Sequence, residues 1–551
     1  MASRAPQAAP TEVAGARSIQ RWDWLALAAV ATLFGTAWLL VGPRANVPVI
    51  DDWVYAWSVE HLLQTGRLQV LEFSAVYPIA QVAWGALFAR AAGFSFGALR
   101  CSTVVLSALG CWAVYLTLRE MGSRRSTCLL AACALAVDPV YFALSFSFMT
   151  EVPFVSLAAI ATYFYVSAVC RDRPARLWVG GVFSIAAFLV RPLAIILPLS
   201  VAPTLLGRAD WRSAVRRAAL PLITTVVAMI ALRSAVGRVL GPLDWEANRE
   251  GYLRWWFLVP MTDYLRWTIE VLIVSVFPLA PVVLASMVRW RRALLVAAVG
   301  LLLIVPLRLW LGDLPTPLPD WQTWSLQDIG ARAMIGGSLA PSTWSLRVAP
   351  AVRVLGFIAV VSMTVAWVRG WVRTPRWGRA ETVVGTLALL HLALIHALWL
   401  YNDRYYLVLA PALAILGARA LDEDRLAKSL AAGCLVLWAA VAVSGTRDML
   451  AFNEACAAAA RQVEATGVPA WEIDAGYPLN GWRLYAHWEN LPPGSNRRYD
   501  VPFVTSIRPT QYAIMNRPLP GYDVVRMVPL ERASWQTTRA VYVLRRQAGT
   551  P

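Results

Sequence analysis

Two carboxylates stand side by side at Asp51 and Asp52, in the stretch VPVIDDWVYAWSVEHLLQTG that follows the first long apolar run. The residues after them have helical spacing: Tyr55, Val59, Leu62 and Leu63 share one face, and Gly66 supplies a stop. An aspartate just before a helix is commonly its N-cap, and that structural reading applies to either residue. Only one of the two can occupy the cap, which leaves the other without a structural duty. Adjacent carboxylates repel, so one holds a raised pKa or the two share a divalent cation. Both outcomes suit a general base or a metal-assisted site.

Three further motifs place ionisable groups beside apolar runs, where charge is costly and its position therefore informative. Glu151 lies in SFSFMTEVPF with Pro153 in the first helical turn, and a helix-start acid favoured by the macrodipole is its structural alternative. Arg191 interrupts apolar sequence in FLVRPLAI, where a snorkelling side chain is the plainer reading. Arg404 in YNDRYYLVLAP has pairing with Asp403 as its alternative. The planar fork of a guanidinium suits a phosphate, and two of them facing one cavity would favour a phosphorylated lipid. His391 and His396 share one run and read as local hydrogen-bonding residues, while His61 sits on the helix after the acidic pair. Most tryptophans read as membrane-belt anchors, although Trp53, Trp57, Trp321 and Trp324 could offer flat faces to sugar rings. The cysteines lie mostly inside apolar runs with no CxxC or Cys/His cluster, so neither a disulfide framework nor a zinc site is expected.

The elements that must position these groups are membrane helices. Of 551 residues, 58% are hydrophobic and only 15% charged, with mean hydropathy +0.54, against about 25% charged residues in soluble domains. Apolar runs of spanning length fall near 22–42, 98–118, 127–144, 150–170, 177–190, 192–207, 217–236, 265–287, 293–311, 351–368, 380–400, 405–420 and 429–446. That predicts an α-helical polytopic membrane protein of about 13 transmembrane helices. The first run has no small-residue cleavage site and reads as a retained span, with residues 1–20 a disordered cytoplasmic N-terminus. The run 77–93 is short and carries Gln81 and Arg90, which suits an interfacial helix. With it lying on the outer surface, the arginine clusters of REMGSRR, RDRPAR, GRADWRSAVRR, RWRR and RGWVRTPRWGR all fall inside, as does DEDRLAK. The net charge of +17 is thus spread over short loops; it reports topology, and nucleic acid is not an expected partner.

This topology implies three parts: residues 1–20, a membrane domain over 21–446 whose first outer loop spans 43–97, and an extracytoplasmic α/β domain over 447–551. Long outer loops are expected at 237–264 and 312–350. Asp51, Asp52, Asp138, Glu151, Arg191, Glu270, Arg347, Asp403 and Arg404 then gather near the outer ends of spans, with few charges at mid-depth. An ion translocator would more often carry them in the middle of the bundle. A polar cavity open to the outer side is expected instead.

In this order of motifs the chain resembles the lipid-dependent C-type (GT-C) glycosyltransferases, the superfamily of the aminoarabinose transferases and the protein O-mannosyltransferases. IDDWVYAWSVEHLLQTG resembles the outer-loop acidic motif, MTEVPF the acidic span start, FLVRPLA the Arg-Pro between spans and DRYYLVLAP the Arg-Tyr before a late span; Tyr77-Pro78 opens the interfacial helix. The resemblance implies a GT-C fold and a transferase that takes sugar from a polyprenyl-phosphate donor to an extracytoplasmic acceptor, with inversion. It implies Asp51 as catalytic base with Asp52 beside it, Arg191, Arg404 and the motif tyrosine Tyr55 at the donor phosphate and lipid, and Glu151, Glu72 and Tyr77 around the cavity. Where aminoarabinose transferases have Glu-Lys-Pro this chain reads AVYP, with Glu72 the nearest acid. A bacterial inner membrane is the implied location. Two other classes remain open to the sequence: a flippase of lipid-linked glycans, and a noncatalytic envelope-assembly protein.

Overall fold

The computed structural model describes residues 19–206, 210–243, 260–286, 293–311, 351, 354–365, 378–398, 403–418, 425–497, 500–501, 510–530 and 540–548. Arg347, Trp321, Trp324, the loop 312–350 and most of the loop 237–264 lie outside them.

The chain is a helical bundle with a small sheet at one end. Helix α1 (Arg21–Val41) leads into a loop and α2 (Asp52–Thr65), then α3 (Ile79–Ala92), α4 (Phe96–Glu120), α5 (Arg125–Ala136), α6 (Pro139–Ser145), α7 (Glu151–Arg171) and α8 (Ala175–Phe188). Longer helices follow at Trp211–Leu240, Met261–Val276, Ala293–Leu311, Arg379–Ala397 and Arg425–Glu464. Among the described residues seven helices are long and apolar enough to cross a bilayer, or eight if the bent pair α5–α6 forms one span. All thirteen apolar runs contain helix, but several of those helices are shorter than the roughly 20 residues that a perpendicular crossing takes. The multi-pass helical membrane architecture expected from hydropathy is present.

Local chemistry explains the irregular places. The run 127–144 is broken at Asp138-Pro139, where the two helices meet at 67°. Pro139 has no N–H to give a continuing helix, and Asp138 caps the new one by accepting from the backbone N–H of Val140 (2.9 Å) and Tyr141 (3.1 Å). Helix α3 is 14 residues long, about 21 Å, too short to cross; Gln81, Val82, Gly85 and Ala89 form its buried face. Helices α4 and α7 approach closely at Gly110, where an added Cβ would lie 2.8 Å from the Ser156 Cα. Such small-residue contacts are how helices pack without a hydrophobic drive between them.

The final helix runs unbroken from Arg425 to Glu464, about 60 Å, so the boundary drawn at 447 falls within one continuous element. Beyond it β1 (Ile473–Asp474) pairs in parallel with β2 (Tyr512–Met515), and β4 (Ala540–Arg546) lies antiparallel between β2 and β3 (Tyr522–Pro529). Ile473, Ile514, Val541 and Val543 pack on the helix face of Phe452, Cys456, Ala459 and Val463.

Candidate active site

The turn before α2 separates the two aspartates. Ile50 has φ of +53°, a left-handed conformation that a β-branched residue adopts at a cost of about 1–3 kcal/mol. Two bonds hold this turn: the Asp52 N–H donates to the Val49 carbonyl (3.1 Å), and the Val49 N–H donates to Asp52 Oδ1 (2.7 Å). Asp52 Oδ2 faces the Phe148 N–H at 3.4 Å, in the loop that precedes α7. Gln81 on α3 donates to the Phe148 carbonyl at 2.7 Å, so that loop is gripped from both sides. Asp52 is fully buried, and desolvation raises its pKa to about 7, against the lowering effects of the Arg100 charge and the two backbone donors. Arg100 itself donates to the carbonyls of Ala45 and Val47, both at 2.6 Å, and so shapes the same loop.

Asp51 faces the other way. It occupies the cap position of α2, yet its side chain makes no cap hydrogen bond. Instead Oδ2 pairs with Arg404 Nη2 at 2.9 Å, and Oδ1 accepts from the Tyr477 hydroxyl at 2.6 Å. Arg404 Nε lies 3.3 Å from Glu151 Oε1, and Arg191 Nη2 donates to that same oxygen at 2.7 Å. Arg191 Nε donates to Thr150 Oγ1 at 2.8 Å. Both guanidinium groups stand over the Tyr405 ring, 5.0 Å and 5.4 Å from its centroid. The result is an alternating chain, Asp51, Arg404, Glu151, Arg191, whose members are mostly removed from solvent: side-chain exposure is 2% at Glu151 and 20% at Asp51. Glu151 Oε2 is buried without a hydrogen-bond partner among the described residues.

Tyr55, one turn into α2, belongs to this group. Burial raises its phenol above the ordinary range, and the charges of Asp51 and Glu151 raise it further against Arg191 and Arg404, so it stays protonated. Four separate sequence motifs thus meet at one point, and buried paired charges of both signs could stabilise charge that develops on a bound anion while a carboxylate takes a proton.

Two expected residues lie elsewhere. Glu72 pairs with Arg497 and accepts from the Tyr485 hydroxyl at 3.2 Å. Tyr77 donates to the Gly241 carbonyl beneath the Arg233 guanidinium, latching the first loop to helix Trp211–Leu240. Both are ties between segments and neither touches the charged chain. Asp51 and Asp52 also fail to present a common face to a cation, since one carboxylate is taken by Arg404 and Tyr477 and the other by backbone N–H groups. No group of three or more His, Cys, Asp or Glu capable of holding a metal occurs among the described residues. Tyr477 and Arg100 were not singled out from sequence, because no local pattern marks a residue whose partner lies far along the chain.

Residues 78–236, less than a third of the chain, match the family model described as dolichyl-phosphate-mannose-protein mannosyltransferase; Glu151 and Arg191 fall inside the match, Asp51 and Arg404 outside. No curated protein matches the sequence. Among solved structures, ArnT from Cupriavidus metallidurans bound to undecaprenyl phosphate is 12% identical with a TM-score of 0.46, covering 96% of this chain and 99% of that one. The oligosaccharyltransferase AglB from Archaeoglobus fulgidus, in complex with an inhibitory peptide and a dolichol-phosphate, is 14% identical with a TM-score of 0.44, covering 81% of this chain and 58% of that one. Two of the four motifs, MTEVPF and FLVRPLA, lie inside the match: over residues 78–236 this membrane protein is similar to the dolichyl-phosphate-mannose-protein mannosyltransferase family.

Proposed function

We propose that the protein is a membrane glycosyltransferase that moves a sugar from a polyprenyl-phosphate donor to a hydroxyl acceptor on the outer side of a bacterial inner membrane. The observation that carries this reading is the buried chain Asp51, Arg404, Glu151, Arg191 at the end of the bundle that bears the sheet. Nucleotide sugars are cytosolic, so a site on the outer side needs its sugar delivered on a lipid. The phosphate of such a donor leaves as an anion and asks for charge stabilisation more than for a proton. Arg404 and Arg191 supply it, their planar forks suited to phosphate oxygens.

Asp51 is the base. It takes the proton of the acceptor hydroxyl as the acceptor oxygen bonds to the anomeric carbon and the bond from that carbon to the phosphate oxygen breaks; direct displacement inverts the centre. Glu151 holds both arginines in place, and its unpartnered Oε2 is an acceptor for a sugar hydroxyl. Protonated Tyr55 is a donor at the same point. These steps call on no metal: Asp51 takes the proton and the two arginines receive the charge of the leaving phosphate.

The deciding experiment is turnover of polyprenyl-phosphate sugars by purified protein in detergent, native against Asp51→Asn. Loss of about a hundredfold or more in the variant is expected from removal of a general base. Equal turnover by the two proteins would remove Asp51 from catalysis.

A further inference from the structure

The Asp51 carboxylate is completed from the far end of the chain. Arg404 takes only Oδ2; the other oxygen is met by the hydroxyl of Tyr477, just after β1 in the C-terminal segment. A terminal carboxylate torsion is broad and roughly two-fold, so a single partner leaves its plane poorly defined. Two donors from two different elements fix it and leave one lone pair on each oxygen for an incoming hydroxyl.

The segment that delivers Tyr477 is built to hold still. Gly476 turns at φ +87°, and Asp474 Oδ1 accepts from the Gly476 N–H (3.0 Å) and from Asn480 Nδ2 (2.8 Å). Gly481 then lies directly against Trp53, where a Cβ would come within 2.3 Å of the indole. Trp53 follows Asp52 on α2, so the C-terminal segment grips the very turn that carries the carboxylates. Beyond it His487 meets Glu60 at 3.0 Å, and Tyr485 and Arg497 meet Glu72, which ties the same segment to α2 and its following loop at three more places. Burial, and then the charge of Asp51, keep the Tyr477 phenol protonated and therefore a donor.

We propose that Tyr477 is a positioning residue for the Asp51 carboxylate, holding Oδ1 while Arg404 holds Oδ2, so that the C-terminal domain is a working part of the transfer site. This rests on the reading of Asp51 as the base. A tyrosine present only for packing would not need its hydroxyl: its ring meets Trp53 and Phe73 at 6.1 Å and 6.5 Å between centroids, contacts that phenylalanine retains.

The test uses full-length protein in detergent with a polyprenyl-phosphate sugar that wild type turns over, together with titration by undecaprenyl phosphate alone as the probe of the donor site. Tyr477→Phe is expected to lower kcat at least about tenfold, as a misdirected catalytic group does, with donor KM and undecaprenyl-phosphate binding within about twofold of wild type. Gly481→Ala, whose Cβ would meet the Trp53 indole and displace the segment that carries Tyr477, is expected to show the same split. If Tyr477→Phe keeps kcat within about twofold while Asp51→Asn has lost turnover, the positioning role falls and the base reading survives. Loss of lipid binding in step with kcat also overturns it, as that marks a structural tyrosine. An active Asp51→Asn overturns both readings.

Discussion

Asp51 and Asp52 are neighbours in sequence with opposite surroundings, one met by charged and phenolic donors and the other by backbone N–H groups. For Asp52 this has a consequence in pH. Its folded pKa of about 7 lies above the ordinary 3.8, so between these values the folded protein holds a proton that the unfolded chain has released. Stability then falls as pH rises from about 4 to about 7, and this contribution is flat above that. The unfolding temperature in detergent is expected to decline over that window in wild type and to decline less in Asp52→Asn; identical slopes would refute the assignment. Arg404 is tested by lysine. A point charge cannot meet Asp51 through one nitrogen and Glu151 through another, so Arg404→Lys is expected to cost about a hundredfold in turnover with the protein still folded. Asp51, Glu151, Arg191 and Arg404 could be named from sequence because charge beside apolar runs is conspicuous. Residue types alone left open which carboxylate faced the arginines, and only the resemblance pointed to Asp51; the choice depends on the left-handed turn at Ile50, and a β-branched residue gives no warning of φ above zero.

At the scale of elements, hydropathy located the helices better than it measured them. The run 127–144 reads as one span, but Asp138-Pro139 divides it, and an average over apolar residues does not register a break of that kind. The thirteen runs likewise carried no information on which helices touch. That is written in small residues such as Gly110, whose place against Ser156 sets the depth of α7 beside α4 and with it the height of Glu151 at the start of α7. Gly110→Val overpacks this crossing and is expected to destabilise by about 1–3 kcal/mol, seen as a drop of about 1–3 °C in the unfolding transition. An unchanged transition would mean that the crossing relaxes freely. The α2 stop at Gly66, with φ +70°, was legible because glycine is the residue that ends a helix in this conformation.

At the scale of the molecule the segment that bears the sheet is fastened to α2 by side chains of opposite character, among them His487 against Glu60. The His487 pKa is raised, first by its hydrogen bond to Glu60, against the opposing effect of burial. A raised folded value means that the stabilisation is complete below the unfolded value of about 6.5 and is lost as pH rises through the folded one. The C-terminal domain is therefore expected to become more open to limited proteolysis as pH climbs above that range. His487→Ala should be equally open at both ends of the titration; a wild-type cleavage rate that ignores pH would show that the clasp at Glu60 holds without the charge.

The contact between Tyr477 and Asp51 joins positions 426 residues apart, with Arg404 also late in the chain. A growing chain leaves the ribosome with Asp51 already threaded among its helices and neither of those partners yet made. Until residue 404 is made the aspartate lacks the counter-charge it has in the folded protein, and until residue 477 is made it lacks the phenol that meets its other oxygen.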